Sequence, residues 1–379
     1  MEDGTPRYYK IKQILLGELE SGHFKPGDRF LTEKELRERF KVSATTAVRV
    51  LNDLEREGYL VRRQGKGTFV AERQEPKAEP APLPQVTPNG RLIACVFSQI
   101  GGGHVVEVIR GVEAVCHRSD YHMILFDSSG SPEREAMNLR RAREAGAGGI
   151  ILFPTDGEQN QGIVEEYVRQ GFPVVMVDRY YPAVATDIVV PDNFGIGYRL
   201  TKHLIDRGHK HIATIWGETN CTSVRDRMAG YKEALLRHNV PIVPEISRLF
   251  CYERLRPEER YDLLRTWLNA PYRPSVFVGV NGYVATMVAT ILAAIGVHVG
   301  EEVEIAGMDH VGPYTPMPIM STNAVLPSRE MGISAAEILI ERLREPQEQR
   351  QFRYVVLPVE ISANERSAVK IIGTAPKGM

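Results

Sequence analysis

The chain has 379 residues, 43% apolar and 25% charged, with a formal net charge of −1. It is long enough for two or three domains with real cores, and its charge balance excludes a polyelectrolyte binder. Four cysteines without a CxxC pair, no apolar run of 18 or more residues and no apolar segment in MEDGTPRYYK point to buried free thiols, a cytoplasmic protein, no export signal and no membrane span.

Tyr8 to Glu20 reads as an amphipathic helix with Tyr8, Ile11, Leu15 and Leu19 as its stripe, ended by Gly22 and Pro26-Gly27. Thr32 with Glu35 is a capping box, opening a helix that carries Leu36 and Phe40. Lys41-Val42 is a tight turn and Ser43 a second N-cap. Val48, Leu51 and Leu54 then recur at helical spacing, and Gly58 closes the helix. Tyr59–Val61 and Thr68–Val70 are β-rich runs around the basic tip Arg62-Arg63-Gln64-Gly65-Lys66-Gly67.

That order of helix, turn, helix and basic hairpin suits DNA. Residues 1–75 hold 15 Lys/Arg against 13 Asp/Glu, so placement and not charge carries the reading. The second helix opens with Ser43, Thr45, Thr46 and Arg49, hydroxyls and one guanidinium at the end a helix-turn-helix points at bases and phosphates. Arg62, Arg63 and Lys66 would neutralise phosphates, and Gly65 and Gly67 would let backbone approach a narrow groove. Double-stranded operator DNA is the expected partner of residues 1–71.

Residues 72–90 carry prolines at 76, 80, 82, 84 and 88 without apolar periodicity, which reads as a linker. From Arg91 strands and helices alternate. The strands fall at 92–97, 123–127, 149–153, 174–178, 188–190, 211–216, 248–252, 275–280 and 303–308. The helices fall at 107–118, 132–145, 164–170, 195–207 behind an Asp192 cap, 224–238, 258–269 and 283–295. This is the grammar of parallel sheets covered by helices, and residues 91–379 are too many for one sheet, so two Rossmann-like lobes are expected with a cleft at the strand carboxyl ends.

Polar residues gather at those ends: the loop Gly101–His104, then Asp178 and Arg179, then Ser223, Arg225 and Arg227. Phe250 and Tyr252, Asn281, and Asp309 with His310 complete the set. Carboxylates, guanidinium groups, an amide and an aromatic face suit a small polyhydroxylated molecule. The ligand set is therefore His104, Asp178, Arg179, Ser223, Arg227, Tyr252, Asn281 and Asp309. Arg179 and Arg227 leave a sugar acid or phosphate open beside a neutral sugar.

No catalytic, cofactor or metal motif emerges. Gly65-Lys66-Gly67-Thr68 lacks the first glycine of a P-loop frame, Gly332–Ala336 lacks the last glycine of a nucleophile elbow, and the ten histidines form no HExxH. A DNA reader tethered to a small-molecule cleft reads as a ligand-responsive regulator; the alternative is an enzyme acting on a sugar or sugar phosphate, with the first module as a docking domain.

Two resemblances add to this. Phe30–Leu36, Val42–Leu51 and Gly65–Val70 resemble the winged helix of GntR-type regulators, whose pattern runs L-P-S-E-x-E-L, V-S-R-x-T-V-R-x-A-L and G-x-G-T-F-V. The resemblance implies DNA contacts at Lys34, Ser43, Thr45, Thr46, Arg49, Gly65 and Lys66; Ala44 stands where the family has Arg, so the operator should differ from the usual family site. Further on, Arg110–Glu113, Pro173–Arg179, Asp192-Asn193, His203–Ile212, Arg227–Tyr231, Asn281-Gly282, Ala306–Asp309 and Glu330–Gly332 resemble the effector domain of LacI-type repressors, related to periplasmic sugar-binding proteins. This implies effector contacts at Asp178, Arg227, Asn281 and Asp309, an aromatic near Tyr252, and first-strand loop residues near His104. It also implies lobe crossings near 190–192, 321–325 and 353–356. The first lobe would then hold about 91–190 plus 325–353, and the second about 192–320 plus 356–372. A helix at 327–344 would return to the first lobe, and Val105–Cys116 would be a homodimer face. Joined in one chain, the two modules resemble the arabinose-responsive repressors of Bacillus-type bacteria.

Overall fold

The computed structural model describes residues 7–20, 24–56, 59–63, 67–71, 91–309, 319–344 and 351–363. They form two bodies, one within residues 1–85 and one within residues 86–379. The proline-rich segment 72–90, Gly65, Lys66 and His310 lie outside the described residues.

In the first body α1 (Arg7–Glu20), α2 (Glu33–Phe40) and α3 (Ala44–Arg56) precede a hairpin of β1 (Leu60–Arg63) and β2 (Gly67–Val70). Thr32 starts α2: its hydroxyl accepts from the Glu35 amide at 3.3 Å while the Glu35 carboxylate accepts from the Thr32 amide at 2.7 Å. Lys41 adopts a left-handed φ of 49°, which stops the helix and makes the turn. Ser43 Oγ then accepts from the Thr46 amide at 3.3 Å and opens α3. The core gathers Ile11, Leu15, Phe30, Leu36, Ala47, Val50, Leu51, Leu54, Leu60 and Val70. Truncating a fully buried member such as Leu54 to Ala costs roughly 2–5 kcal/mol. Val48 departs from the sequence reading. The buried stripe of α3 runs through Ala47, Val50, Leu51 and Leu54, spaced by three and four residues, which turns Val48 outward at 37% exposure.

The second body has two sheets. The strands of the first are β3 (Leu92–Phe97), β4 (His122–Asp127), β5 (Gly149–Phe153), β6 (Val174–Val177) and β7 (Asp187–Pro191), with α4 (Gly102–Ser119), α5 (Pro132–Glu144) and α6 (Gln161–Arg169) between them. The chain continues with α7 (Asn193–Asp206), β8 (Ile212–Ile215), α8 (Thr222–Arg237), α9 (Pro244–Ser247), α10 (Pro257–Asn269), β9 (Val276–Gly279), α11 (Gly282–Ala294), β10 (Glu304–Gly307), β11 (Thr322–Val325), α12 (Ser328–Arg344), β12 (Tyr354–Leu357) and β13 (Glu360–Ala363). The first sheet has the order β12-β7-β6-β5-β3-β4, all parallel. The second is β13-β11-β10-β9-β8, parallel except for β13, which runs against β11.

Pairing decides where the chain changes sheets. Residues 322–325 are a strand of the second sheet and 354–357 a strand of the first, so the crossings fall at the ends of these strands, beside the expected positions. The chain passes between lobes after Pro191, after Val325 and after Leu357. Gly102–His104 form the first turn of α4 and not a loop, because Gly101 already occupies the N-cap. Residues 248–252 make no strand: Cys251 forms a lone bridge to Trp216, and a 3-10 turn follows at Tyr252–Arg254.

Close helix packing sets the site. A Cβ on Gly111 of α4 would strike the Arg329 carbonyl of α12, and one on Gly332 of α12 would strike the Val108 carbonyl of α4. The second lobe repeats this between Gly197 of α7 and the Arg227 carbonyl of α8, and between Gly230 and the Phe194 carbonyl. Each pair lets two helices approach until backbones touch, and the same pairs join His104 of α4 to Ser328 of α12 and Asn193 of α7 to Arg227 of α8.

Candidate functional site: the inter-lobe cleft and the outer face of the winged helix

At the end of β6 the chain turns through Asp178, a non-glycine residue with φ +68°. Such a backbone costs of order 1 kcal/mol and persists where the surroundings enforce it. The Asp178 amide donates to the Val189 carbonyl at 3.0 Å, and the Arg179 amide to the Val177 carbonyl at 2.8 Å. The Asp178 side chain is buried. His104 Nε2 lies 3.0 Å from its Oδ1, and His104 Nδ1 lies 2.7 Å from Ser328 Oγ. A carboxylate only accepts, so Nε2 carries the hydrogen. Burial works against the charge on Asp178. The hydrogen bond and charge of His104, and then the charges of Arg179 and Arg227, outweigh it and hold the carboxyl well below the usual range.

Arg179 is also buried. Its guanidinium lies over the Phe153 ring, 5.0 Å from the centroid, with Nη2 2.7 Å from Glu218 Oε2 and Nε 3.6 Å from Asp178 Oδ2. Nε and Nη1 have no hydrogen-bond partner among the described residues.

Arg227 rises from the second lobe. Its Nε donates to Asn193 Oδ1 at 2.9 Å and its Nη1 to the Val280 carbonyl at 3.1 Å. Its charge adds to those that hold the Asp178 carboxyl low. Next to Val280, Asn281 caps α11, accepting from the Val284 amide at 2.8 Å. Ser223 is buried in the first turn of α8, its hydroxyl 3.6 Å from Cys221 Sγ. Asp309 is buried directly after β10.

The structure therefore brings His104, Asp178 and Arg179 into contact, with Arg227 of the second lobe acting on Asp178 through its charge. His104 stands behind Asp178, with both ring nitrogens engaged. Tyr252 stands apart: it is fully buried in the second-lobe core, against Phe250 at 6.4 Å and with Arg260 at 5.7 Å over its ring. It offers no exposed aromatic face.

Several groups escape the sequence reading. Glu218 follows β8 and holds Arg179 from the other lobe. Asp156 follows β5 and accepts from the Asn220 amide at 2.8 Å, Glu158 pairs with Arg225 at 3.0 Å, and the Tyr180 amide donates to Thr222 Oγ1 at 3.2 Å. The strand-end rule reaches Asp156 and Glu218, since β5 and β8 end just before them. Glu135 had no such signal. It is a buried carboxylate on α5 accepting from the Thr155 amide (2.5 Å), Asn160 Nδ2 (2.8 Å) and Tyr181 Oη (2.6 Å), and it ties together the loops after β5 and β6. All four cysteines are free; burial pushes the Cys116 thiol up to about 11, and Cys251 is only half-buried. Among the described residues no group of His, Cys, Asp and Glu could hold a metal ion, and no helix is long and apolar enough to cross a membrane.

In the first body Lys34, Ser43, Ala44 and Arg49 are exposed, and Thr45 lies on the first turn of α3. Ser43 Oγ and Thr46 Oγ1 are 2.9 Å apart. Arg62 turns back onto α3, donating to Asn52 Oδ1 at 2.5 Å and pairing with Glu55 at 3.3 Å. It braces the hairpin against the helix as well as adding positive charge.

A winged helix joined to a two-lobed body with polar groups at its strand carboxyl ends is the build of a ligand-sensing DNA-binding regulator. The comparisons agree. Residues 96–365 match periplasmic binding proteins and sugar binding domain of LacI family, and residues 7–70 match bacterial regulatory proteins, gntR family. The chain belongs to the former family and carries a GntR-type reader in front; it is a transcription regulator and not an enzyme. It is similar to the arabinose metabolism transcriptional repressor of Geobacillus stearothermophilus, 29% identical over 349 residues, 91% of this chain and 93% of that one. It is similar to the ribose operon repressor of Escherichia coli K12, 30% identical over 250 residues, 65% of this chain and 73% of that one. The fold also resembles a LacI family transcriptional regulator from Enterococcus faecium with bound ribose. The TM-score is 0.58 at 22% identity, covering 72% of this chain and 96% of that one.

Proposed function

We propose that the protein is a cytoplasmic, homodimeric repressor of carbohydrate-utilisation genes whose operator binding changes when a sugar enters the inter-lobe cleft. The observation that carries this is the pairing of buried Asp178 and Arg179 in one lobe with Arg227 and Glu218 in the other. An ionised carboxylate accepts from vicinal hydroxyls, and the two unpartnered nitrogens of Arg179 donate to their oxygens. Ser223, Asn281 and Asp309 complete the ligand set, with His104 supporting Asp178. Tyr252 contributes packing.

The charges favour a neutral sugar over a sugar acid or phosphate. Arg179 and Arg227 stand with Asp178, Glu218 and Asp309, so an anion would enter an already compensated site. Three chain crossings between lobes form a hinge that ligand can close. Relatives named for arabinose and ribose responses support a pentose as the first candidate. On DNA, Lys34, Ser43, Thr45, Thr46, Arg49, Arg62, Gly65 and Lys66 are the contact set, and a dimer joined through α4, with Val106 outward, would present two readers to a pseudopalindromic site.

The test is a calorimetric titration of the full chain with arabinose, ribose, and their aldonic acids and 5-phosphates, followed by operator release. Binding of a neutral pentose that is lost in Asp178→Asn supports the reading. Binding of only the anionic forms overturns the neutral-sugar assignment, and no binding in the whole set removes the sugar.

A further inference from the structure

The outer face of α3 carries an apolar edge. Ala44 and Val48 lie one helical turn apart, both exposed, Val48 at 37%. A single exposed valine needs no explanation. Here two small apolar residues share the face that begins with Ser43, and polar neighbours on that face are engaged within the body. Ser43 Oγ and Thr46 Oγ1 lie 2.9 Å apart, and Asn52 Oδ1 accepts from Arg62 at 2.5 Å. Neither Ala44 nor Val48 belongs to the core cluster. In the V-S-R-x-T-V-R pattern given above, both positions are Arg.

A helix presented to the major groove meets base edges rich in donors and acceptors, with one apolar feature among them, the C5-methyl group of thymine. Small apolar side chains are the complement of that group, and they cannot satisfy guanine O6 and N7. We infer that Ala44 and Val48 read thymine methyl groups, so that the operator half-site carries thymine opposite this edge. The inference rests on α3 being the helix that enters the major groove. Val48 is the specificity-determining residue of the pair, because Ala44 has only its β-methyl to offer.

The experiment takes the full chain and selects preferred duplexes from a random-sequence pool. Each thymine of the selected duplex is then replaced by uracil, which removes the C5-methyl and nothing else, and affinity is measured at fixed salt. At one or two positions per half-site, uracil should weaken wild-type binding about four-fold per methyl. Val48→Ala should bind the thymine duplex as weakly as wild type binds the uracil duplex at its position, with no further loss on uracil. Val48→Arg should shift the selected base from thymine to guanine. Val48 is outside the core, so unchanged thermal unfolding serves as the folding control. If uracil is neutral everywhere, or Val48→Ala loses equally on both duplexes, methyl reading is wrong while DNA binding stands. If no duplex is enriched, the assignment of α3 as the groove-reading helix fails, and the inference falls with it.

Discussion

In the first lobe α4 and α12 approach through Gly111 and Gly332; in the second α7 and α8 approach through Gly197 and Gly230. Both pairs lie beside a crossing, since α12 follows the second and α7 the first. The groups they join are opposite in kind. The first lobe joins His104 to Ser328 and ends on the Asp178 carboxylate, an acceptor. The second joins Asn193 to Arg227 and ends on a guanidinium, a donor. The shared packing device thus places an acceptor in one lobe and a donor in the other, and one helix of each pair, α12 and α7, starts at a crossing.

The packing half of this comparison breaks hardest. Gly111→Val and Gly197→Val each force a side chain into a facing carbonyl and should cost about 3 kcal/mol or more, seen as a lowered thermal midpoint of the full chain. An unchanged midpoint in either would show that the helices can part without penalty. Removing one wall's chemistry comes next. Asp178→Asn and Arg227→Met should each weaken effector binding by about 10- to 100-fold, roughly 1.5–3 kcal/mol for a hydrogen bond to a charged group. Operator affinity without effector should stay within a few-fold.

A milder change separates binding from coupling. Ser328→Ala removes the partner of His104 Nδ1 without changing any residue of the proposed ligand set, at about 1 kcal/mol. It should leave effector affinity nearly unchanged while raising the effector concentration needed to alter operator binding. Equal loss of both would make Ser328 a merely structural residue.

The smallest effect is on acid stability. Hydrogen bonding from His209 lowers the Glu304 carboxyl to about 2 against burial, with Ser321 and the charges of His209 and Arg207 adding to it. A carboxyl lower in the folded state stabilises above its ordinary range and loses that contribution as pH falls. The effector body should therefore weaken between pH 4.5 and 2 as Glu304 protonates, with Asp178 adding in the same direction. Glu304→Gln should be less stable at pH 7 and lose less on acidification; an identical acid profile would show that the Glu304 bonds contribute nothing.

Much of the fold was legible in the chain because its signals are local. The Thr32–Glu35 box spans three residues, as does the Ser43 cap on Thr46. Strands β3 and β5 coincide with their apolar runs, bounded by polar turns. From those came the reader, the α/β grammar, the strand end that carries Asp178 and Arg179, and the helix after β8 that carries Arg227. Long-range partners left no such trace. His104 meets Ser328 across 224 residues and Asp178 across 74, so nothing near His104 tells which groups engage its two ring nitrogens. Tyr252 ends a sequence run that looks like a strand, yet core packing takes its ring. Val48 shares the helical period of its neighbours, and only the arrangement of α1, α2 and the hairpin around α3 decides which side of that period is buried. Likewise, strand pairing alone assigns 322–325 and 354–357 to their sheets. Sequence determined what each segment can be, because caps and periodicity act within a few residues. The tertiary structure decided what each side chain faces, because that depends on hydrogen bonds and packing between segments far apart in the chain.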